Sequence, residues 1–241
     1  MVIGTITATI FWLVRKRIQN IRNKAELKQK IAETEMMALR AQMNPHFIFN
    51  CLSAIDNMIQ TNQKEKATTY LNQFAKLIRL ILESSAKNLV PFYKDFESLK
   101  LYIQLEQFRS NNKFAFELQA DPELLNSGIM VPPLLVQPFV ENAIHHGLLN
   151  KSDSDKLLNI NISLEKDYIK YTVMDNGVGR QKAMELNAIN KSGHISYGIE
   201  IAQKRISMHN HNEVHPGVVI TDLTNNNMPT GTRVQFWLWV N

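Results

Sequence analysis

The sequence predicts an α+β chain in which a helical hairpin precedes a mixed domain of helices and strands. Three observations lead there. From Ile18 to Gln60 there is one proline and no glycine, a composition suited to helix. Apolar residues in that stretch recur at steps of three and four. Beyond Pro91 strand-like and helix-like segments follow one another without strict alternation, which argues against a doubly wound sheet. At 241 residues, 44% hydrophobic and 20% charged, the chain has enough apolar residues for one large core or two small ones. Its 9 glycines and 8 prolines exclude a collagen-like or long-linker protein. The single cysteine, Cys51, excludes a disulfide framework and a multi-cysteine metal centre, and suits a reducing compartment.

Charge divides the chain. Residues 1–90 hold 13 Lys+Arg against 6 Asp+Glu, and residues 91–241 hold 14 against 16. The excess of cations begins with Arg15, Lys16, Arg17, Arg22 and Lys24, directly behind the uncharged stretch Met1 to Val14. That order matches the cytoplasmic exit of a membrane segment. Fourteen residues fall short of the roughly 20 a spanning helix needs, so 1–14 reads as the end of a transmembrane helix or as an interfacial anchor. Residues 15–34 then form a juxtamembrane helix, and everything from residue 15 onward faces the cytoplasm. Direct nucleic-acid binding is not expected, because no aromatic interleaving or known DNA-binding motif accompanies the basic stretch.

Each element follows from its spacing. Leu39, Met43, Phe47, Cys51, Ala54 and Met58 mark one face of a helix. The polar stretch Thr61 to Glu65 is a turn, and Tyr70, Phe74, Leu77, Ile78 and Ile81 mark the face of a second helix. Two antiparallel helices bury too little surface alone, so a four-helix bundle in a homodimer completes residues 35–90. Residues 91–241 read as a helix over Tyr93–Arg109, a strand over Phe114–Leu118 and a helix over Val136–Leu149 with Pro138 in its first turn. Strands follow at Leu157–Leu164 and Tyr168–Met174, turning near Lys166. A loop-rich stretch runs from Asp175 to Ser196, then a helix over Tyr197–His209 and strands at Val218–Leu223 and Thr232–Val240.

Two groups of residues carry chemistry. In Asn44-Pro45-His46-Phe47-Ile48-Phe49-Asn50, Pro45 removes a helical hydrogen bond just before His46 and frees the carbonyl of Ala41. His46 and Asn50 are four apart and share a face, so an amide stands where it can fix the tautomer of a nucleophilic imidazole. Further on, Gln137 to Gly147 places polar groups on an apolar helix, and the Asn142 oxygen suits Mg²⁺ held together with phosphates. Asp175-Asn176-Gly177-Val178-Gly179 follows a strand. Its carboxylate could accept a hydrogen bond from an adenine amino group, and its glycines let backbone approach a ligand. Gly193 and Gly198 flank the next loop, where N–H groups at the start of the Tyr197 helix could meet phosphates, and Gly231-Thr232 opens the last strand.

From about Glu35 to its end the chain resembles the sensor histidine kinases of the LytS type. Asn44 to Asn50 matches that family's phosphoacceptor box and Pro132 to Gly147 its N box. Asp175 to Gly179 resembles the G1 box, Ser196 to Arg205 the G2 box, and Gly231-Thr232 the final glycine–threonine motif. The resemblance implies a dimerising hairpin joined to a Bergerat-type α/β sandwich that binds ATP. It implies that His46 takes the γ-phosphoryl group, with Asn50 beside it, and passes it to an aspartate of a response regulator of the LytTR DNA-binding type. It further implies that Asn142 holds Mg²⁺, that Asp175 reads adenine, and that His145, Gly177, Gly179, Gly198 and Thr232 line the nucleotide. Arg180 to Tyr197 would be the ATP lid and Ser84 to Lys94 the hinge. The protein would sit at the inner or cytoplasmic membrane of a bacterium.

The chain departs from the family pattern at four places. Phe47 occupies the position where many histidine kinases carry an acidic residue, and His145 stands where lysine is common. Ser196-Tyr197-Gly198-Ile199 lacks the first G2 glycine, and Ile201 replaces an asparagine. The competing reading is a kinase-like scaffold that binds ATP, or dimerises, without phosphorylating itself.

Overall fold

A computed structural model describes residues 12, 15–19, 45–189, 197–210, 217–225 and 228–240. Residues 46–241 form one compact unit. Most of the expected membrane segment, most of the juxtamembrane helix, and Leu39, Met43 and Gly193 lie outside the described residues. Residues 15–19 are helical, with the Lys16 ammonium 4.8 Å from the Trp12 ring. No helix among the described residues is long and apolar enough to cross a membrane.

The hairpin consists of helix α1 (Pro45–Gln60) and helix α2 (Lys64–Ser85). Phe47, Cys51 and Ile55 are buried on α1, with Ala54 and Met58 half-buried, so the inner face follows the expected spacing with Ile55 added. Ala67, Tyr70, Phe74, Leu77 and Ile81 are buried on α2. Between them Asn62 takes a left-handed φ of 62°, and the turn is shorter than expected because Lys64 already begins α2.

Strand β1 (Val90–Pro91) leads into helix α3 (Phe92–Arg109). β1 pairs antiparallel with β3 (Met130–Val131), so part of the expected hinge is held by a ladder and Lys94 lies inside a helix. Strand β2 (Ala115–Ala120) begins one residue later than expected and runs two further. The short helix α4 (Pro122–Asn126) is an addition to the expected elements. Helix α5 (Gln137–Asn142) opens one residue later than expected and continues into a π-helical turn, Ala143–Leu148, a rare register that hydropathy spacing cannot show.

Strands β4 (Leu157–Glu165) and β5 (Tyr168–Asp175) form a hairpin whose turn places Lys166 at a φ of 53°. Helix α6 (Arg180–Ile189) replaces much of the expected loop-rich stretch; Arg180 to Leu186 is free of glycine and proline and rich in helix formers. Helix α7 (Tyr197–His209) has the expected bounds, and strands β6 (Val218–Asn225) and β7 (Met228–Trp239) close the chain, β7 starting earlier than expected.

The main sheet has the order β2-β4-β5-β7-β6, parallel between β2 and β4 and antiparallel elsewhere. Alternation along β5 sends Ile169, Tyr171, Val173 and Asp175 to the buried face, where β4 adds Leu158, Ile160 and Ile162 and β7 adds Val234, Phe236 and Leu238. The π-helical turn packs on β4, β5 and β7, and α7 on β7, giving a helix layer on one face of the sheet. Phe236 stacks on Tyr171 with centroids 4.7 Å apart and meets Phe139 of α5 at 5.4 Å, which ties α5 to the sheet. The result is the α+β architecture expected from the sequence.

The hairpin packs on α3. Phe47 lies 5.1 Å from Tyr102 and 6.4 Å from Phe74, Tyr70 lies 5.2 Å from Phe108, and Lys76 reaches Glu97 at 2.6 Å. Replacing Phe236 with Ala should cost about 3–5 kcal/mol by opening a cavity where three aromatic rings meet. Thermal unfolding followed by circular dichroism would register this as a clear fall in Tm, and an unchanged Tm would contradict the packing.

Candidate functional site

His46 is the second residue of α1, and its neighbours are fixed by the core. Phe47 directly after it is buried between α2 and α3, so the side chain next to the candidate phosphoacceptor secures the helix and cannot serve as a base. Cys51, one turn on, is fully buried and accepts a hydrogen bond from the Tyr70 hydroxyl at 3.2 Å. Burial pushes its thiol up to about 11, so it stays protonated. Asn50 lies on α1 and is half-buried. The bend expected before Pro45 falls outside the described residues.

The second half of the site is built at the C-terminal end of β5. Asp175 is 5% exposed, and its Oδ1 accepts the Gly177 N–H at 2.8 Å. The Thr232 N–H, on the neighbouring residue of β7, also donates to this carboxylate. Burial pushes the Asp175 carboxyl up to about 6, against the pull of these two donors. The ionised form therefore exists near neutral pH at the expense of desolvation, and a ligand donor would relieve that cost.

Backbone crowds this carboxylate closely. A Cβ on Gly147, in the π-helical turn, would stand 2.7 Å from Asp175 Oδ1. A Cβ on Gly177 would overlap the Gly147 backbone, and the Gly147 carbonyl accepts the Val178 N–H at 3.3 Å. Gly231 has a φ of 142°, and a Cβ there would overlap the Asp175 carbonyl oxygen. Gly147 and Gly231 belong to motifs that the sequence singles out, and the structure adds that their backbones crowd Asp175.

The remaining expected residues are distributed around this centre. Gly179 follows at a φ of 76°. Gly198 lies exposed in the first turn of α7, and a Cβ there would meet Pro138 at an ordinary 3.5 Å, so packing alone does not require a glycine. Asn142 ends α5 and is half-buried. His145 is turned to α3, where its Nε2 lies 3.2 Å from the Glu106 carboxylate. Arg109 donates to the same carboxylate at 2.7 Å. Glu106 is 1% exposed, and these two partners hold its carboxyl below the usual range despite burial. In sequence the Glu106–Arg109 spacing reads as an ordinary surface pair on a helix.

The entry to α5 is clamped from two helices. Buried Asp95 of α3 accepts the Leu134 N–H at 2.8 Å, with Leu134 at a φ of 61°. Arg205 of α7 donates to the Pro133 carbonyl at 2.9 Å. Burial pushes Asp95 up to about 6, opposed by the Leu134 N–H and the nearby Arg205 charge.

At the end of β5 a buried carboxylate acceptor is thus packed among backbone that leaves no room for side chains. Among the described residues no group of three or more His, Cys, Asp or Glu is placed to hold a metal ion. A single amide oxygen, that of Asn142, fits a Mg²⁺ whose other ligands come from phosphates and water.

Comparison with known proteins gives matches to histidine kinases. Residues 34–114 match the histidine kinase family. The chain is 34% identical over 159 residues to the sensor protein LytS of Oceanobacillus iheyensis, covering 66% of this chain and 26% of that protein. It is 36% identical over 158 residues to LytS of Bacillus subtilis, covering 65% and 26%. With the sensor histidine kinase/phosphatase LytS of Staphylococcus aureus it shares 31% identity over 163 residues, covering 66% and 27%. Among solved structures, the catalytic domain of the histidine kinase ThkA superposes with a TM-score of 0.39 at 16% identity, covering 63% of this chain and 93% of that one. ThkA in complex with the response regulator TrrA gives 0.40 at 16% identity, covering 90% and 66%. The chain spans about a quarter of the length of the LytS proteins it matches. Over the matched residues the chain is similar to the LytS-type sensor histidine kinases.

Proposed function

We propose that the chain is the kinase part of a sensor histidine kinase. ATP binds at Asp175, the γ-phosphoryl group passes to His46, and an aspartate of a response regulator with a LytTR DNA-binding domain receives it. The observation that carries this reading is the buried Asp175 carboxylate in its glycine cradle, on a chain that also bears the Asn44 to Asn50 box. An ionised Asp175 accepts from the adenine amino group; guanine presents a carbonyl there and is repelled. Gly177, Gly179 and Gly198 let backbone approach the nucleotide, Thr232 orients Asp175 through its N–H, and His145 lies on the same helical segment as Asn142. Asn142 would hold Mg²⁺, which supplies charge neutralisation at the phosphates.

At the hairpin, the neutral imidazole of His46 attacks phosphorus. A P–N bond forms, the bridging P–O bond to the β-phosphate breaks, and ADP leaves. Asn50, on the same face of α1, fixes the imidazole tautomer. Residues 86–89, between α2 and β1, provide the give that lets hairpin and nucleotide domain approach one another.

The same reading makes the protein a homodimer tethered to the bacterial inner or cytoplasmic membrane through residues 1–14, with the rest in the cytoplasm. Supporting the dimer, Phe49 (69%), Leu71 (46%) and Leu82 (50%) are exposed on the hairpin, with Leu52 and Ile59. Leu71 and Leu82 are eleven apart, a helical repeat that places them on one stripe.

Label from γ-phosphate-labelled ATP with Mg²⁺ should enter the protein in acid-labile, base-stable form and vanish in His46→Gln, while ATP binding is unchanged. ATP binding without any label would instead make the chain an ATP-binding scaffold. Asp175→Asn should weaken ATP binding about tenfold or more, the worth of a charge-assisted hydrogen bond.

The Asp175 shift also sets a pH dependence. Its folded-state pKa is raised from 3.8 to about 6, so the stability its protonated form contributes is lost as pH rises through that window. ATP affinity should run the other way, falling as pH drops through about 6 in titrations from pH 8 to 5, with the dependence absent in Asp175→Asn. Replacing both Leu71 and Leu82 with Asp should yield a folded monomer by light scattering; a persisting dimer would remove this face from the interface.

A further inference from the structure

The carboxylate of Glu106 lies outside the nucleotide cradle, yet it is the most completely buried charge among the described residues and it grips the segment that forms one wall of the cradle. That wall is the π-helical turn Ala143–Leu148, closed by a hydrogen bond from the Leu149 N–H to the Ile144 carbonyl at 2.9 Å, five residues apart. A π register is rare and needs local support. The turn packs on β4, β5 and β7, and two of its contacts bear on Gly147. On the sheet side Gly147 lies against Gly177, with its carbonyl accepting the Val178 N–H. Two positions earlier, His145 Nε2 meets Glu106 on α3.

Glu106 is well placed for this task. Arg109, one turn along α3, anchors its carboxylate at 2.7 Å, so the acceptor offered to His145 is immobile. Relaxing the turn to an α register would rotate Gly147 away from Gly177 and Asp175, because consecutive residues of a helix are coupled in direction. Gly147 lies so close that a Cβ there would stand 2.7 Å from Asp175 Oδ1, and such a rotation would open this contact.

We infer that Glu106 is a positioning residue for the nucleotide site, holding His145 so that Ala143–Leu148 keeps the π register that seats Gly147 against Gly177 and Asp175. It touches neither nucleotide nor phosphoacceptor and acts only through His145. The inference rests on the proposed ATP site for its functional consequence, but its structural core does not.

The structural core is tested without nucleotide. Amide exchange of the Leu149 N–H in the full chain should quicken about tenfold in His145→Gln and in Glu106→Gln, the loss of one charge-assisted bond. Unchanged exchange would overturn the inference. Should Glu106→Gln fail to fold because Arg109 loses its carboxylate, His145→Gln alone decides, since its side chain is partly exposed and its loss leaves the Glu106–Arg109 pair intact.

The functional consequence is read with a fluorescent ATP analogue and Mg²⁺. Each single variant should bind about tenfold more weakly, and the double variant no more weakly than either. In the phosphorylation assay the loss in Glu106→Gln should appear in KM for ATP and leave kcat at saturating ATP unchanged. Additive losses of about a hundredfold in the double variant would show independent roles and overturn the inference. A wild-type chain that exchanges as expected yet binds no analogue would overturn the ATP reading and leave the π-turn assignment standing.

Discussion

Backbone-to-backbone contact at the end of β5 is the constraint around which the sheet and its helix layer are arranged. Gly147, Gly177 and Gly231 converge on Asp175 at separations that admit no Cβ between them. The contact sets how closely the π-helical turn lies on the sheet and how β7 passes β5. It also strips water from a carboxylate that, among the described residues, receives the Gly177 and Thr232 N–H groups in return, and the burial raises its pKa. Position and protonation of Asp175 are thus two results of one packing arrangement.

The same contact explains the supports placed farther out. A segment held at so short a range needs its approach angle set from both ends. At the start of α5, Asp95 captures the Leu134 N–H and Arg205 the Pro133 carbonyl. At the other end, Glu106 reaches His145. Two of these three side chains come from α3, so one helix sets both the entry and the exit of the segment bearing Asn142. The same helix receives the hairpin through Phe47, Tyr70 and Lys76. The helix carrying His46 and the segment carrying Asn142 are therefore braced on one element. The position after His46 is occupied by a buried aromatic ring for the same reason: this turn of α1 is a packing surface as well as a chemical one.

Much of the architecture is legible in the residue order. Spacing of Phe47, Cys51, Tyr70, Phe74, Leu77 and Ile81 gives the hairpin and its inner face, because burial of a helix face obeys a fixed period. Alternation over Ile169, Tyr171 and Val173 gives β5 with its buried side, and Tyr197 to His209 gives α7 to the residue. Asp175, Gly177 and Thr232 read as one site from their motifs, and the structure does bring them together across the β5–β7 register. The helix over Arg180–Ile189 escaped the sequence reading because the glycines before it and the polar run after it looked like continuous loop.

Periodicity and residue type are local properties, so the elements and the chemical groups can be read from the order of residues. Which groups meet depends on packing between distant segments. Glu106 and His145 are 39 positions apart, and so are Asp95 and Leu134; no local pattern links either pair. The π register of Ala143–Leu148 likewise follows from contacts made by neighbours on two other elements, and nothing in its own residues announces it. Gly147 looks like an ordinary helix end until Asp175 is seen beside it. A side chain's chemistry is written in the chain, but its burial, its charge state and its partner arise only when distant segments exclude water together.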